Sequence, residues 1–230
     1  YKDMFEARRK LADSGFFDEM LNMIGRIISE QIKHREDAVF ILDAGCGEGS
    51  HLSRLLDKLY QQTKANITGA GIDISKEGIN IASRYRKDII WAVADLANIP
   101  FLDKKFDIIL NILSPSNYAE FNRVLKDNGI LIKVVPDSKY LGELRKAFYG
   151  KTSKESYSND KVIAHFAENF KIIDTRKVLY PFAVKGEKLD SLIKMTPLSW
   201  GVSSEVQRKA KTYEITNITV DLTIIVGEKY

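Results

Sequence analysis

The chain has 230 residues, 44% hydrophobic and 29% charged, which is enough apolar material for one packed domain and too well mixed in sign for wholesale disorder. Its 35 Lys+Arg against 31 Asp+Glu leave a net charge of +4, a mild basic excess that permits a nucleic-acid partner without demanding one. A single cysteine, Cys46, excludes an internal disulfide and a Cys-cluster zinc site within these residues and fits a reducing, cytoplasmic setting, and no apolar run nears the roughly 18 residues that a bilayer span needs.

The sequence starts at Tyr1, not at Met, so an upstream segment is expected. Residues 2–11 mix charged and apolar side chains and predict a helix with a basic end (Arg8, Arg9, Lys10). Ser14-Gly15 interrupts it, and Phe17, Met20, Leu21, Ile24, Ile27, Ile28 and Ile32 recur at the three-to-four spacing of a second amphipathic helix. Val39-Phe40-Ile41-Leu42 then reads as a strand that stops at a glycine-rich turn, with a helix through Leu52, Leu55, Leu56 and Leu59 behind it. Strands are predicted at 69–74, 89–94, 106–113 and 129–135, with helices at 79–85 and 118–125 between them. This alternation implies a parallel sheet covered on both faces, and a continuous run such as Ile108-Ile109-Leu110 fits burial on both sides. Beyond Pro136 the order shifts to a helix at 141–148, a polar loop at 151–160, a strand at 170–182, a short helix at 189–195 and an alternating final strand at 216–226.

The segment Asp43-Ala44-Gly45-Cys46-Gly47-Glu48-Gly49 carries the chemistry. Glycines between a strand and a helix let the backbone turn sharply and approach a ligand. Here the third glycine falls one residue earlier than in the dinucleotide fingerprint, and no Gly-Lys-Ser/Thr follows, so a ligand without phosphates is favoured. Such a turn can receive the amino-acid end of S-adenosylmethionine, with Asp43 facing its cationic portion. Asp73, ending the second strand, can accept both ribose hydroxyls, and Asp95, ending the third, can accept from the adenine amino group. Ile74 and Leu96, each beside one of these acids, can sandwich the adenine. The alternative is that the strand-end acids cap the following helices.

This set resembles the class I S-adenosylmethionine-dependent methyltransferases: an α/β, Rossmann-like, seven-stranded, mostly parallel sheet whose last strand is antiparallel, here with an N-terminal helical extension. The expected organisation is a helical segment over 1–36 and a methyltransferase domain over 37–230, with 183–213 inserted before the last strand. A closer resemblance, over nearly the whole chain, is to the bacterial 23S rRNA (guanine-N1)-methyltransferases of the RlmA type. It rests on Met4-Phe5-Glu6-Ala7-Arg8-Arg9 through Phe17, on the glycine turn, on 136–144 ending Tyr140-Leu141-Gly142-Glu143-Leu144, and on Met195-Thr196-Pro197-Leu198-Ser199-Trp200.

The resemblance implies cofactor contacts at Phe17, Gly47, Glu48 and Tyr140, with 23S rRNA as substrate and a homodimer enclosing an RNA-sized cleft. It also implies zinc, held by an N-terminal Cys/His module that this sequence lacks and that only an upstream segment would supply. For Phe17 the competing role is core packing, and for Tyr140 a place on the surface. Three basic clusters (Arg8, Arg9, Lys10; Lys139, Arg145, Lys146, Lys151, Lys154; Arg208, Lys209, Lys211) suit phosphate contacts or simple solubility. Trp200 and Tyr118 are candidates for stacking on a splayed base. Asn111-Ile112-Leu113-Ser114-Pro115 ends the fourth strand where a target should enter. It lacks the Asn/Asp-Pro-Pro-aromatic motif of enzymes that methylate exocyclic amines. Of the three histidines (His34, His51, His165), His51 lies nearest the turn. A small-molecule acceptor is the competing substrate class.

Overall fold

The computed structural model describes residues 2–150, 157–203, 205–207 and 215–230. In chain order the elements are α1 (Lys2–Asp13), α2 (Asp18–Ile32), β1 (Val39–Ala44), α3 (Ser50–Gln62), β2 (Ile67–Asp73), α4 (Lys76–Tyr85), β3 (Ile90–Val93), β4 (Phe106–Ile112), α5 (Tyr118–Val124), β5 (Leu125–Pro136), α6 (Gly142–Tyr149), α7 (Asp160–Asn169), β6 (Lys171–Ala183), α8 (Glu187–Met195) and β7 (Asn217–Glu228). The seven strands form one sheet in the order β3-β2-β1-β4-β5-β7-β6, with β7 antiparallel to both neighbours and the other pairings parallel.

The central strands alternate between two cores. Ile41, Ile108, Leu110, Ile130, Ile132 and Ile224 face a layer that includes α2, α3 and α8, while Leu42, Ile109, Leu131 and Ile225 face α5 and α7. Both faces are dry, so the central strands read as unbroken apolar runs, and each fully buried Leu or Ile contributes about 1.5–3 kcal/mol. The edge strand β6 differs. It is half exposed, carries Lys171, Asp174, Arg176 and Lys177, and holds Pro181, which a central strand would reject.

Helix α7 is an addition to the sequence reading, which assigned no helix after the polar stretch. Its single fully buried side chain is Phe166, with Val162 and Ile163 half-buried, too little to stand out as a periodic stripe. Residues 151–156 of that stretch lie outside the described residues.

Strand order reverses between β1 and β4, and ligands of open α/β sheets bind at the carboxyl ends of strands flanking such a reversal. The first helix spans this crevice. It lies across α8 and reaches α3 and α4, and it ends in a left-handed turn at Gly15 (φ 86°). There Phe16 N–H donates to Leu11 O and Gly15 N–H to Ala12 O, the paired bonds that close a helix when glycine follows it. Among the described residues no helix is long and apolar enough to cross a membrane.

Candidate active site

The turn after β1 is built by its glycines. Gly45, Gly47 and Gly49 all take positive φ (86°, 58° and 79°), a region costly for other residues. Gly45 and Cys46 N–H both donate to Ile72 O at 2.9 Å, which pins the turn to the end of β2. A Cβ on Gly45 would sit 2.6 Å from Ser114 Oγ, and one on Gly49 would sit 2.5 Å from the Trp91 ring. Over Gly47 the nearest atom is Arg8 Nη1 at 3.1 Å, the end of a flexible side chain. Two of the glycines are therefore demanded by packing, and the third leaves a cradle roofed by the movable Arg8 cation with the edge of the Phe5 ring 3.5 Å away.

Three acidic and two basic groups converge there. Asp43 is 1% exposed, and its Oδ2 has no hydrogen-bond partner among the described residues. Burial raises its carboxyl to about 7, against the pull of Arg8 and with added push from Asp73 and Glu48. Glu48, also 1% exposed, accepts from Ser50 N–H (3.1 Å) and Ser50 Oγ (2.5 Å), placing its charge at the positive N-terminus of α3. Arg8 Nε and Arg9 Nη1 approach Glu48 at 4.0 and 3.9 Å. Burial raises the Glu48 carboxyl as well, with Arg8, Ser50 and Arg9 opposing. Asp73 accepts Gly47 N–H on Oδ2 and Ser75 N–H on Oδ1, each at 2.8 Å, so it organises the turn and keeps one lone pair per oxygen.

A buried carboxylate oxygen without a donor is costly unless a ligand completes it. A cationic ligand with an amino-acid end fits both Asp43 Oδ2 and the Gly47 cradle, so the residues present suit S-adenosylmethionine.

Beside the turn lies a cavity of about 580 Å³. Its walls come from α1 (Met4, Arg8), the α1–α2 corner (Phe17), the segment after β4 (Leu113, Ser114, Pro115), β5 (Lys133 to Pro136) with Tyr140, and the end of α8 with Met195, Thr196, Pro197 and Trp200. Leu113 holds φ 52°, and Leu141, beside Tyr140, holds φ 53°. Arg8 and Ser114 belong to both cavity and turn, since Ser114 Oγ also donates to Ala44 O at 2.9 Å. Burial pushes the Tyr140 hydroxyl up to about 12.

Two polar side chains interrupt the apolar strands at this wall. Asn111 on β4 and Lys133 on β5 are register partners, 0% and 4% exposed. Asn111 Nδ2 donates to Ala44 O, Ser114 Oγ and Pro115 O. Its Oδ1 accepts from Ser116 Oγ at 2.8 Å and from Lys133 Nζ at 2.6 Å. Lys133 Nζ also donates to Ser116 Oγ at 2.6 Å and, more weakly, to Ser114 O at 3.3 Å. Burial lowers the Lys133 ammonium to about 8.

The structure gathers Asp43, Gly45, Gly47, Glu48, Gly49 and Asp73 at the adjoining tips of β1 and β2 and puts Phe17 and Tyr140 on the cavity wall. Phe17 is also a core residue, 1% exposed, with its ring edge-on to Phe16 and His51. Tyr140 is 9% exposed and not a surface residue. Ile74 is 74% exposed, Asp95 is exposed with Oδ1 accepting Ala97 N–H, and Leu96 is half-buried, so these three stand at an open rim. His51 lies off the cavity wall, and burial holds its imidazole well below the usual range, leaving it neutral. Tyr118 packs among Phe121, Phe166 and Phe170, away from the cavity.

The first basic cluster needs correction: Arg8 and Arg9 turn onto Glu48, Arg9 also stacks 3.3 Å over the Tyr85 ring, and Lys10 alone of the three is exposed. Lys151, Lys154, Arg208, Lys209 and Lys211 lie outside the described residues. Sequence reasoning passed over Lys133 and Trp91. The signal for Lys133 was available, since a lone Lys inside Leu131-Ile132-Lys133-Val134-Val135 is a charge in a strand dry on both faces.

A family model described as a methyltransferase domain matches residues 41–129. Among solved structures, geranyl diphosphate methyltransferase in complex with SAM superposes with a TM-score of 0.54 at 13% identity, covering 90% of this chain and 85% of that one. Sheet order and turn together define a class I S-adenosylmethionine-dependent methyltransferase. YxjB of Bacillus subtilis (strain 168), provisionally named a 23S rRNA (guanine-N(1)-)-methyltransferase, is 43% identical over 228 residues, 99% of this chain and 80% of the relative. The 23S rRNA (guanine(748)-N(1))-methyltransferase of Streptomyces fradiae is 25% identical over 97% of this chain and 79% of its own length. The chain belongs to the family of 23S rRNA (guanine-N1)-methyltransferases.

Proposed function

We propose that this chain methylates N1 of a guanine in a hairpin loop of 23S rRNA. The observation that carries the reading is the unpaired, buried Asp43 carboxylate beside a cavity whose mouth bears the 59%-exposed Trp200. When bound, the cofactor supplies an electrophilic methyl on a sulfonium. The protein's task is then alignment, which can supply roughly 7–11 kcal/mol.

In this reading Asp43 holds the cationic end, the backbone of Gly45, Gly47 and Gly49 cradles the amino-acid portion, and Glu48 holds Arg8 and Arg9 over it. Asp73 offers its spare lone pairs to the ribose and Asp95 accepts from the adenine amino group, with Ile74 and Leu96 as walls for the ring. Phe17 and Tyr140 exclude water from the methyl. Trp200 receives a splayed base, since aromatic faces capture unstacked RNA bases. Met195, Thr196, Pro197 and Trp200, within the stretch 183–213 read as an insertion ahead of β7, form one wall of the entry.

Calorimetry with S-adenosylmethionine tests the cofactor half, and D43A should abolish detectable binding. Incubating unmodified 23S rRNA with labelled cofactor and mapping the label tests the target, with label on a guanine N1 expected. The cavity's largely apolar walls, Met4, Phe17, Leu113, Val134 and Met195 among them, favour one competing reading, a small apolar acceptor. Label absent from RNA but transferred to a small acceptor would establish that reading instead.

A further inference from the structure

Resting on the guanine-N1 reading above, we propose that Lys133 is the proton acceptor for that nitrogen and that the ammonium so formed balances the purine anion during transfer. Guanine N1 carries a proton, so a strong nucleophile appears there only as the proton leaves. The acceptor must line the target cavity, be neutral in a useful fraction, and keep a direction open toward the base.

Among the described residues the titratable groups on the cavity wall are Arg8, Lys133, Tyr140 and Tyr157. Arg8 is a guanidinium, a group that offers donors and no acceptor. Burial drives both tyrosine hydroxyls upward, so neither offers an oxyanion near neutral pH. Lys133 moves the other way, towards the neutral amine, with burial as the cause.

Among the described residues no carboxylate of the neighbouring elements pairs with Lys133. Asp107 on β4 binds Arg35 and Lys126, Asp221 on β7 binds Lys177 and the backbone N–H of Lys139, and Asp43 on β1 faces Arg8. The hydrogen bonds of Nζ are also uneven. Two at 2.6 Å, to Asn111 Oδ1 and Ser116 Oγ, fix the amine, while the third direction meets only Ser114 O at 3.3 Å. The three acceptors suit the ammonium; the neutral amine keeps the two short bonds with its two hydrogens and gives up the long one, which leaves its lone pair on the side of Ser114, a residue of the cavity wall. Asn111 and Ser116 are thus positioning residues, and Lys133 is the base.

The step balances. The N1–H bond leaves its electron pair on N1 and gives its proton to Nζ, the N1 pair forms the new N–CH₃ bond, and the C–S pair departs with sulfur as a neutral thioether. Nζ then releases the proton to water.

The test is single-turnover methylation of unmodified 23S rRNA, at saturating cofactor and RNA, across pH 6.5–9.5. The wild-type rate should rise tenfold per pH unit and level off near the Lys133 value of about 8. K133M and K133R should each lose roughly 10²–10⁴-fold and show no levelling. Arginine keeps the charge and the hydrogen bonds but cannot serve as the base, so K133R separates a base from a structural cation. S-adenosylmethionine affinity by calorimetry should stay within about twofold in both variants, because the lost interaction belongs to the transferring step. Independently of turnover, NMR titration of ¹³C-labelled lysines should find one Nζ with a depressed value that vanishes in K133R.

A K133R rate within about threefold of wild type, or a lysine titrating at its ordinary value, overturns the inference while leaving the guanine product intact. Wild-type protein that places no label on guanine N1 overturns the reading beneath it, and the inference with it.

Discussion

The two tips of the crevice are made differently. At the β1–β2 tip, the glycines, Asp43 and Asp73 come from one short segment and one strand end, and local bonds close the turn. At the β4–β5 tip, the cavity wall is assembled from α1, the α1–α2 corner, β5, Tyr140 and the end of α8, drawn from the whole length of the chain. In the proposed reading, cofactor chemistry thus resides in a contiguous motif and acceptor chemistry in long-range packing. Sequence segments that gather around a target can vary independently, while a turn that needs three left-handed residues in seven positions cannot.

If this contrast holds, damage to the first tip should cost binding or folding, and damage to the second should cost transfer or target recognition. The largest effect is expected from D43N. Removing the ligand-facing charge should weaken S-adenosylmethionine binding by about 2–5 kcal/mol, or roughly 30-fold to several thousandfold, read by calorimetry. The same change removes an unpaired buried charge, so the empty chain should melt higher, by about 2–4 °C per kcal/mol recovered. Next is G49A, which places a Cβ at 2.5 Å from the Trp91 ring and 2.8 Å from Ala82 Cβ at φ 79°. Strain and overpacking together should cost about 2–4 kcal/mol of unfolding free energy by denaturant titration, and W91L should return part of it.

The pH dependence comes third. Asp43 is raised to about 7, and a bound cation prefers the ionised form, so binding releases a proton below that pH. The dissociation constant should therefore grow by up to about tenfold for each pH unit lost below 7, and D43N should flatten the curve. For folding alone the sign is opposite. A carboxyl raised in the folded state favours folding below its ordinary value, and that advantage is lost as pH climbs through about 7.

At the second tip, W200A should leave cofactor affinity unchanged and weaken RNA binding by about 1–3 kcal/mol in a filter-binding assay. The smallest effect is expected from G142A. Its Cβ would meet nothing within 4 Å, so stability should shift by no more than about 0.5 kcal/mol.

The same contrast explains what the sequence could announce. The strands themselves follow from apolar runs and from the alternation of Ile218, Val220, Leu222 and Ile224, whereas the antiparallel last strand is implied by the resemblance to class I methyltransferases. Asp43 and Asp73 announce themselves by standing at strand ends. The pairing of Arg8 and Arg9 with Glu48 does not, because it depends on α1 crossing the crevice to rest on α8, and no local pattern encodes that crossing. Asn111, an amide without basicity, stands in the sequence only as the end of the fourth strand. Its partner across the register, Lys133, gives it a chemical setting that only strand pairing can supply. Helix α7 escaped because one buried phenylalanine makes no stripe.

Leu113 and Leu141 keep left-handed backbones that glycine would adopt freely, and Leu113 and its neighbour Ser114 form part of the cavity lip. A non-glycine residue in that conformation costs on the order of 1–3 kcal/mol and stays there only because its surroundings hold it, so the cavity lip stores strain at its rim.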